Sequence, residues 1–154
     1  MEIRKATIKD FERLKDIKIK SKIWERKYNK SLKPIDEVKK RYFYYLKRDL
    51  TFKDRAIFIA VKNDKIIGMV LGKIVNTLSI IKFEKRGYIS NLYILPRYRR
   101  KGIAKKLVRE LIEWFRANNI KSLRLEVYSK NKPALNIYHK SGFKEYAIKM
   151  KKDL

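Results

Sequence analysis

A change of hydrophobic period after residue 95 constrains the fold of this chain more than any other feature. Residues 88–95 are mostly apolar, and Pro96 ends this run. From Gly102 to Asn118, apolar residues instead recur every three or four positions. Residues 123–127 then alternate between apolar and polar. A helix joining two strands implies that the strands are parallel and adjacent. The pattern therefore predicts an α/β fold with a mixed sheet.

The flanking sequence predicts further strands and helices within one domain, residues 1–154. Gly68 and Gly72 lie inside one apolar run and indicate a bulge or a close backbone approach. We find no repeat or linker, and the length leaves no room for a second domain. The other predicted elements are a strand over 2–8, helices from Asp10 to about Tyr28 and from Pro34 to Asp49, a hairpin of strands 56–61 and 66–75, a helix over 132–140 and a final strand over 143–150.

The composition excludes several kinds of chemistry. The chain has no cysteine, so disulfides, thiolate metal sites and cysteine nucleophiles are excluded, and the single histidine, His139, cannot form a metal site alone. Lysine and arginine number 42 against 16 acidic residues, a net charge of +26 that favours anionic partners. Nucleic acid, an acidic protein surface and a polyphosphate cofactor all fit this charge, which does not choose among them.

The same composition sets expectations for location and source. No apolar run is long enough to cross a bilayer, and the amino terminus lacks the features of a secretory signal. We therefore expect a cytoplasmic protein with no membrane association. Abundant lysine and isoleucine without cysteine or glutamine fit the composition of hyperthermophile proteins.

The loop before the long helix has the properties of an anion site. A helix amino terminus offers unpaired N–H groups and the positive end of the helix dipole. A glycine at this place lets the backbone approach a phosphate, and a small residue two positions later leaves space for it. The loop and first helical residues are Arg99, Arg100, Lys101, Gly102, Ile103 and Ala104.

This segment resembles the central motif of the GNAT superfamily of acyl-CoA-dependent N-acetyltransferases, in which a strand leads through an Arg/Gln-x-x-Gly-x-Gly/Ala loop into a helix. Residues 88–107, YISNLYILPRYRRKGIAKKL, match this order with alanine in the last small position. A second motif follows at the proper distance in residues 125–127 (LEV), 131–138 (NKPALNIY) and 141–143 (SGF). The close match covers residues 88–145. Within the superfamily it is nearest to ribosomal-protein-type N-terminal acetyltransferases.

The resemblance implies acetyl-CoA as co-substrate and no metal. It implies that residues 99–104 hold the pyrophosphate through backbone amides. It also implies that the strand edge at Leu92, Tyr93 and Ile94 pairs with the pantetheine arm, which suits the physics because an extended amide-bearing arm adds to a strand edge as a peptide does. Asn131 matches a residue that contacts the cofactor in this family, although an N-cap role is equally compatible with its position.

The resemblance also implies two catalytic residues. Tyr138 matches the tyrosine that protonates or hydrogen-bonds the departing thiolate, and the alternative is a core tyrosine. The acceptor amine must lose a proton before it attacks a thioester, so a base is required. Glu126 is the first candidate, and the alternative is a structural pair with Arg124 on the same strand face. Attack is expected to be direct, within a ternary complex.

The acceptor is less well defined. Residues 22–34 and the first two helices form the acceptor wall in the family, and here they carry Trp24, Tyr28, Tyr42, Tyr44 and Tyr45 among many lysines. This suits a protein or peptide amine, either an N-terminal α-amine or a lysine, although aromatic residues at helical spacing are also typical of a core. The competing hypothesis is a GNAT-fold binding module for nucleic acid or ribonucleoprotein. The sequence leaves a monomer and a homodimer equally open.

Overall fold

A computed structural model describes residues 1–154 as one twisted five-stranded sheet with helices on both faces. The helices α1 and α2 cover one face, and α3 covers the other. In chain order the elements are β1 (Glu2–Lys5), α1 (Phe11–Glu25), α2 (Ile35–Thr51), β2 (Arg55–Lys62), β3 (Lys65–Asn76), β4 (Lys85–Ile94), α3 (Ile103–Ala117), β5 (Leu123–Leu125) and α4 (Lys132–Lys140), with short 3₁₀ turns at Ile8–Asp10 and Pro96–Tyr98.

The strands lie in the order β1-β2-β3-β4-β5. The first four are antiparallel to their neighbours, and β4 and β5 are parallel. The helix α3 is the crossover between those two strands, so the predicted α/β class and mixed sheet are confirmed.

Two apolar cores hold the layers together. Leu107, Leu111 and Phe115 project from α3 onto β3 and β4 and are almost fully buried. On the opposite face, Leu14 and Ile17 of α1 pack against β2 and β3. Both faces of β3 are therefore covered, which explains why its sequence is almost continuously apolar.

Glycines mark the two irregular places in β3, as expected. In the pairing of β2 with β3, the register shifts between Ala60, which pairs with Gly68, and Val61. In the pairing of β3 with β4, it shifts between Leu71 and Gly72. A Cβ at Gly72 would lie 2.5 Å from Leu111 Cδ1, so α3 approaches the strand closely there. The second shift leaves one extra residue in β4, which matters for the site below.

Two predictions were wrong in detail. Residues 143–150 form no strand: they run beside β5 without ladder pairing, and Tyr146, Ile148 and Met150 are largely exposed. Asp10 precedes α1 but does not cap it, because its carboxylate accepts hydrogen bonds from Arg4 and from the Thr7 N–H. No helix of the structure combines the length and apolar character needed to cross a membrane.

Candidate functional site: an amide-lined loop beside a split sheet

The loop before α3 adopts the conformation that its glycine predicts. Gly102 precedes the helix with φ 73°, in the left-handed region that glycine favours. No atom lies within 4 Å of where its Cβ would be, so the space beside the loop is open. Ile103 is buried in the core and anchors the first turn. The loop is thus anchored to the core through Ile103 and accessible on the side of Gly102.

Six consecutive backbone N–H groups, those of residues 100–105, donate no hydrogen bond to any protein atom. They lie at the positive end of a fifteen-residue helix. The side chains of Arg100 and Lys101 are exposed beside them. Unpaired amides, the helix dipole and two exposed cations are the features that suit a phosphate-bearing anion.

Arg99 is positioned differently from its two basic neighbours. Its Nε donates a 2.9 Å hydrogen bond to the carbonyl oxygen of Ile94, and its guanidinium carbon lies 3.9 Å from the ring centroid of Trp24 and 5.5 Å from that of Tyr93. This side chain therefore joins the end of β4 to α1. Arg100 and Lys101 remain as the exposed basic side chains beside the unpaired amides.

The sheet opens between β4 and β5. These strands pair only at Gly87–Leu123, Tyr88–Arg124 and Ile89–Leu125. Beyond that point β4 continues to Ile94 with β3 on one side and no strand on the other. We call the gap between β4 and β5 beyond this contact the cleft. The edge at Leu92, Tyr93 and Ile94 borders it, and the chain continues from this edge into the amide-lined loop. Tyr93 and Ile94 are buried by the two cores, which hold the edge rigid.

A bulge lies where the cleft begins. Leu71 pairs with Asn91 and Gly72 pairs with Ile89, so Ser90 is the extra residue. The Oγ of Ser90 and the Oδ1 of Asn91 are buried, and neither has a hydrogen-bond partner in the protein. Buried polar atoms normally have partners, so these two atoms mark a place where a ligand or water completes the structure.

Tyr138 projects from α4 and is 7% exposed. Its ring packs edge-on against Phe143, with 5.7 Å between centroids, and its hydroxyl makes no hydrogen bond within the protein. Burial raises the pKa of Tyr138 above its ordinary value, and the neighbouring Tyr88 raises it further. The hydroxyl therefore keeps its proton at neutral pH and is available as a donor.

Asn131 is the residue before α4, and its Oδ1 accepts a 3.3 Å hydrogen bond from the Ala134 N–H. The N-cap alternative is thus realised in this structure. Its amide nitrogen donates no hydrogen bond to the protein and is free for a ligand. The two functions use different atoms of one side chain.

Glu126 directly follows β5 and is exposed. Its carboxylate pairs with Lys149 Nζ at 2.9 Å, whereas Arg124 stacks on Tyr146 at 4.0 Å, so the anticipated pair with Arg124 is absent. Burial raises the pKa of Tyr88, and the Glu126 carboxylate contributes further. Glu126, Tyr88 and Tyr138 are therefore electrostatic neighbours at the end of the β4–β5 contact.

The aromatic residues of the acceptor wall divide into two groups. The ring of Tyr28, after α1, stacks on that of Tyr128, after β5, with 6.0 Å between centroids, and Asn29 donates a hydrogen bond to the Tyr128 hydroxyl. Trp24 meets Tyr28 edge-on. These three rings bridge the mouth of the cleft. The others do not: Tyr44 and Tyr45 lie on the outer surface of α2, 66% and 37% exposed, and the ring of Tyr42 lies beside Lys22 of α1.

Sequence reasoning missed Tyr88, Ser90 and Asn91. All three lie in the predicted strand 88–95. A bulge in that strand shifts side chains to the opposite face of the sheet, and no local pattern in the β4 sequence indicates the bulge. Gly72, the partner position on β3, was the available hint.

Free amides at a helix start, beside an edge strand and a cleft, define a class of α/β protein that holds an extended, phosphate-bearing ligand between two strands. The family profile described as "Acetyltransferase (GNAT) family" matches residues 19–143. The chain therefore belongs to the GNAT family.

Individual relatives agree with this assignment. The chain is 29% identical over 111 residues to the N-alpha-acetyltransferase of Sulfurisphaera tokodaii, covering 69% of this chain and 66% of the relative. It is 33% identical over 90 residues to N-alpha-acetyltransferase 30 of Schizosaccharomyces pombe, covering 58% and 57%. The chain thus spans less than two thirds of the length of these relatives.

One solved structure is similar over nearly its whole length. It is described as a predicted acetyltransferase with acetyl-CoA from Clostridium acetobutylicum, with TM-score 0.79, 25% identity, and coverage of 99% of this chain and 95% of that chain.

Proposed function

We propose that this protein, acting as a single domain, transfers an acetyl group from acetyl-CoA to a protein or peptide amine by direct attack in a ternary complex. The observation that carries the proposal is the row of free N–H groups at residues 100–105, which continues into the unpaired edge of β4. A pyrophosphate fits the free N–H groups, and an extended pantetheine arm fits the unpaired strand edge. Acetyl-CoA supplies an activated thioester at the end of that arm.

Tyr138 serves as the proton donor. Its hydroxyl is protonated at neutral pH and has no internal partner, so it is free to donate to the sulfur of the departing thiolate. Asn131 lies two helical turns earlier on the same helix and donates from its free amide nitrogen to the cofactor. Leu92, Tyr93 and Ile94 position the arm through their backbone.

Glu126 serves as the base that removes the amine proton. In the structure its carboxylate is held by Lys149, so it must leave this partner before it accepts a proton. Both residues are exposed, so the cost of separating them in water is small. The alternative is a purely structural role, in which the pair fastens residues 143–150 beside β5.

The N-terminal α-amine is the favoured acceptor group, because the archaeal and yeast relatives carry the name N-alpha-acetyltransferase. The bridge of Trp24, Tyr28 and Tyr128 offers rigid, amphipathic rings near the cleft, which suit a peptide backbone. The positive charge of the protein disfavours polyamine acceptors and favours acidic ones.

Calorimetry with acetyl-CoA tests the proposal directly, with Gly102→Glu as the disrupted variant. Its control is Gly142→Glu, because Gly142 also has positive φ, 87°, and open space around its Cβ, but lies after α4. Both variants carry the same backbone strain and charge change. We expect binding to be lost only in Gly102→Glu, where the carboxylate takes the place of a phosphate.

Thiol release is then followed with peptides that have a free or a blocked N-terminus and internal lysines. Release with free N-termini alone supports N-terminal acetylation. Absence of both acetyl-CoA heat and thiol release refutes the enzyme. Nucleic-acid affinity that falls steeply with salt would then favour the binding-module alternative.

A further inference from the structure

A row of polar residues crosses the face of the sheet that α1 and α2 cover. Arg55 of β2 is paired with Lys73 of β3, Lys73 with Tyr88 of β4, and Tyr88 with Arg124 of β5. Paired residues on adjacent strands point to the same face, about 5 Å apart. The apolar core beneath the two helices therefore ends at this row. Tyr88 connects the row to the catalytic candidates.

The helices above the row carry two ion pairs. Arg55 binds the buried Asp49 of α2 at 2.6 Å, and Lys22 of α1 binds Glu25 at 2.6 Å. These two carboxylates are the acidic groups that face the row from α1 and α2 at this place. Each already has a cationic partner.

Three further cations remain at the same place without a partner. Lys18 of α1 is 5% exposed, and its ammonium group makes no hydrogen bond or ion pair. Lys73 has no ion pair either, and the Nε of Arg48 is buried without an acceptor. We call Lys18, Arg48 and Lys73 the basic pocket. Arg48 and Lys73 are themselves partly exposed, so solvent reaches the basic pocket through them.

The electrostatics of the basic pocket are unfavourable as they stand. Burial, together with repulsion from Lys22 and Lys73, lowers the pKa of Lys18 to about 8, and burial lowers that of Lys73. With a pKa of about 8, Lys18 still carries its proton for most of the time at neutral pH. The carboxylate of Asp49 attracts both ammonium groups, but it is already paired with Arg55 and offsets their burial only in part. A buried ammonium without a full counter-charge is costly, and an anion placed among the three cations lowers that cost.

We infer that the basic pocket binds a carboxylate of the acceptor, and that the enzyme selects amines followed closely in the chain by an acidic side chain. This inference rests on the proposed acetyltransferase function. Lys73 lies one strand from Tyr88, which neighbours Glu126 and Tyr138. An extended peptide advances about 3.4 Å per residue, so an acidic group at the second or third position reaches the pocket when the N-terminal amine is at the cleft.

The test compares two peptides that differ only in glutamate against glutamine at positions two and three, each with a free N-terminus. Rates of thiol release are measured for the wild type, Lys73→Met, Lys18→Met and the control Lys65→Met. Lys65 is an exposed lysine at the other end of β3 and carries the same charge. Acetyl-CoA binding and thermal melting of each variant show that the fold and the cofactor site are intact.

We expect the wild type and Lys65→Met to prefer the glutamate peptide by about tenfold in kcat/KM, through KM, as one charge-assisted contact would give. Lys73→Met and Lys18→Met should lose this preference while acetylating the glutamine peptide at the wild-type rate. Equal rates for the two peptides in the wild type, or a preference that survives in both variants, overturns the inference alone. Acetyl-CoA binding without thiol release from any peptide overturns the proposed function as well.

Discussion

Replacement of Tyr138 by phenylalanine separates catalysis from stability. The phenylalanine ring keeps the packing against Phe143, and the lost hydroxyl has no hydrogen-bond partner in the protein. The free energy of unfolding at neutral pH should therefore change by less than about 1 kcal/mol. A general acid contributes roughly 10²- to 10⁴-fold to a rate, so kcat should fall by at least about 100-fold.

The same substitution should also change how the free energy of unfolding depends on pH. Burial raises the pKa of Tyr138 above the ordinary value of 10.0, so the unfolded state releases this proton at lower pH than the folded state does. Stability is therefore lost as the pH rises above 10, because the folded state binds more protons. The phenylalanine variant should lose less stability than the wild type between neutral pH and pH 11.

Thiol release and chemical denaturation measure both quantities, with Tyr146→Phe as the control. Tyr146 is 78% exposed, so its variant should match the wild type in rate and stability. An unchanged kcat in Tyr138→Phe would assign the residue to the core alone. A loss of several kcal/mol would show that the hydroxyl has a structural partner.

Two further substitutions probe the base and the first helix. Glu126→Gln should lower kcat by roughly 100-fold if Glu126 is the base, whereas a rate equal to that of the matched variant Glu145→Gln leaves it a structural role. Asp10→Asn should destabilise the fold by about 2 kcal/mol in urea denaturation, because it weakens the bidentate contact with Arg4. The Asp10 side chain is 5% exposed, and Arg4 lowers the pKa of Asp10 from 3.8 to about 2. The wild type should therefore lose stability between pH 4 and pH 2, and Asp10→Asn should lose less. Equal acid sensitivity of the two proteins would contradict this.

Much of the fold was predictable because each signal was local. The hairpin of β2 and β3 follows from the turn at Asn63 and Asp64, both of which have positive φ in the structure. The helix α3 follows from its apolar stripe, which meets the sheet along its whole length. The prediction of a final strand over 143–150 was wrong. Apolar residues do alternate in this segment, but no neighbouring strand pairs with it. A strand needs a ladder partner, and periodicity alone does not supply one.

The candidate site shows the same division. Gly102 and the basic residues before it indicated an anion site, since helix-terminus chemistry is a property of consecutive residues. The partner of Glu126 was not predictable, because Lys149 is 23 residues away and reaches it only through the path of the last segment. The different position of Arg99 likewise depends on Trp24 from α1.

The sequence by itself determined the order of strands and helices as far as α4, the glycine-containing loop before α3 and the family to which the chain belongs, because all three depend on neighbouring residues. Only the tertiary structure decided where the sheet opens and what surrounds the opening. The bulge at Ser90, the three-residue contact of β4 with β5 and the basic pocket of Lys18, Arg48 and Lys73 arise from pairing and packing between distant segments. Register and burial are set by the partner across the sheet, and no run of residues carries that information alone.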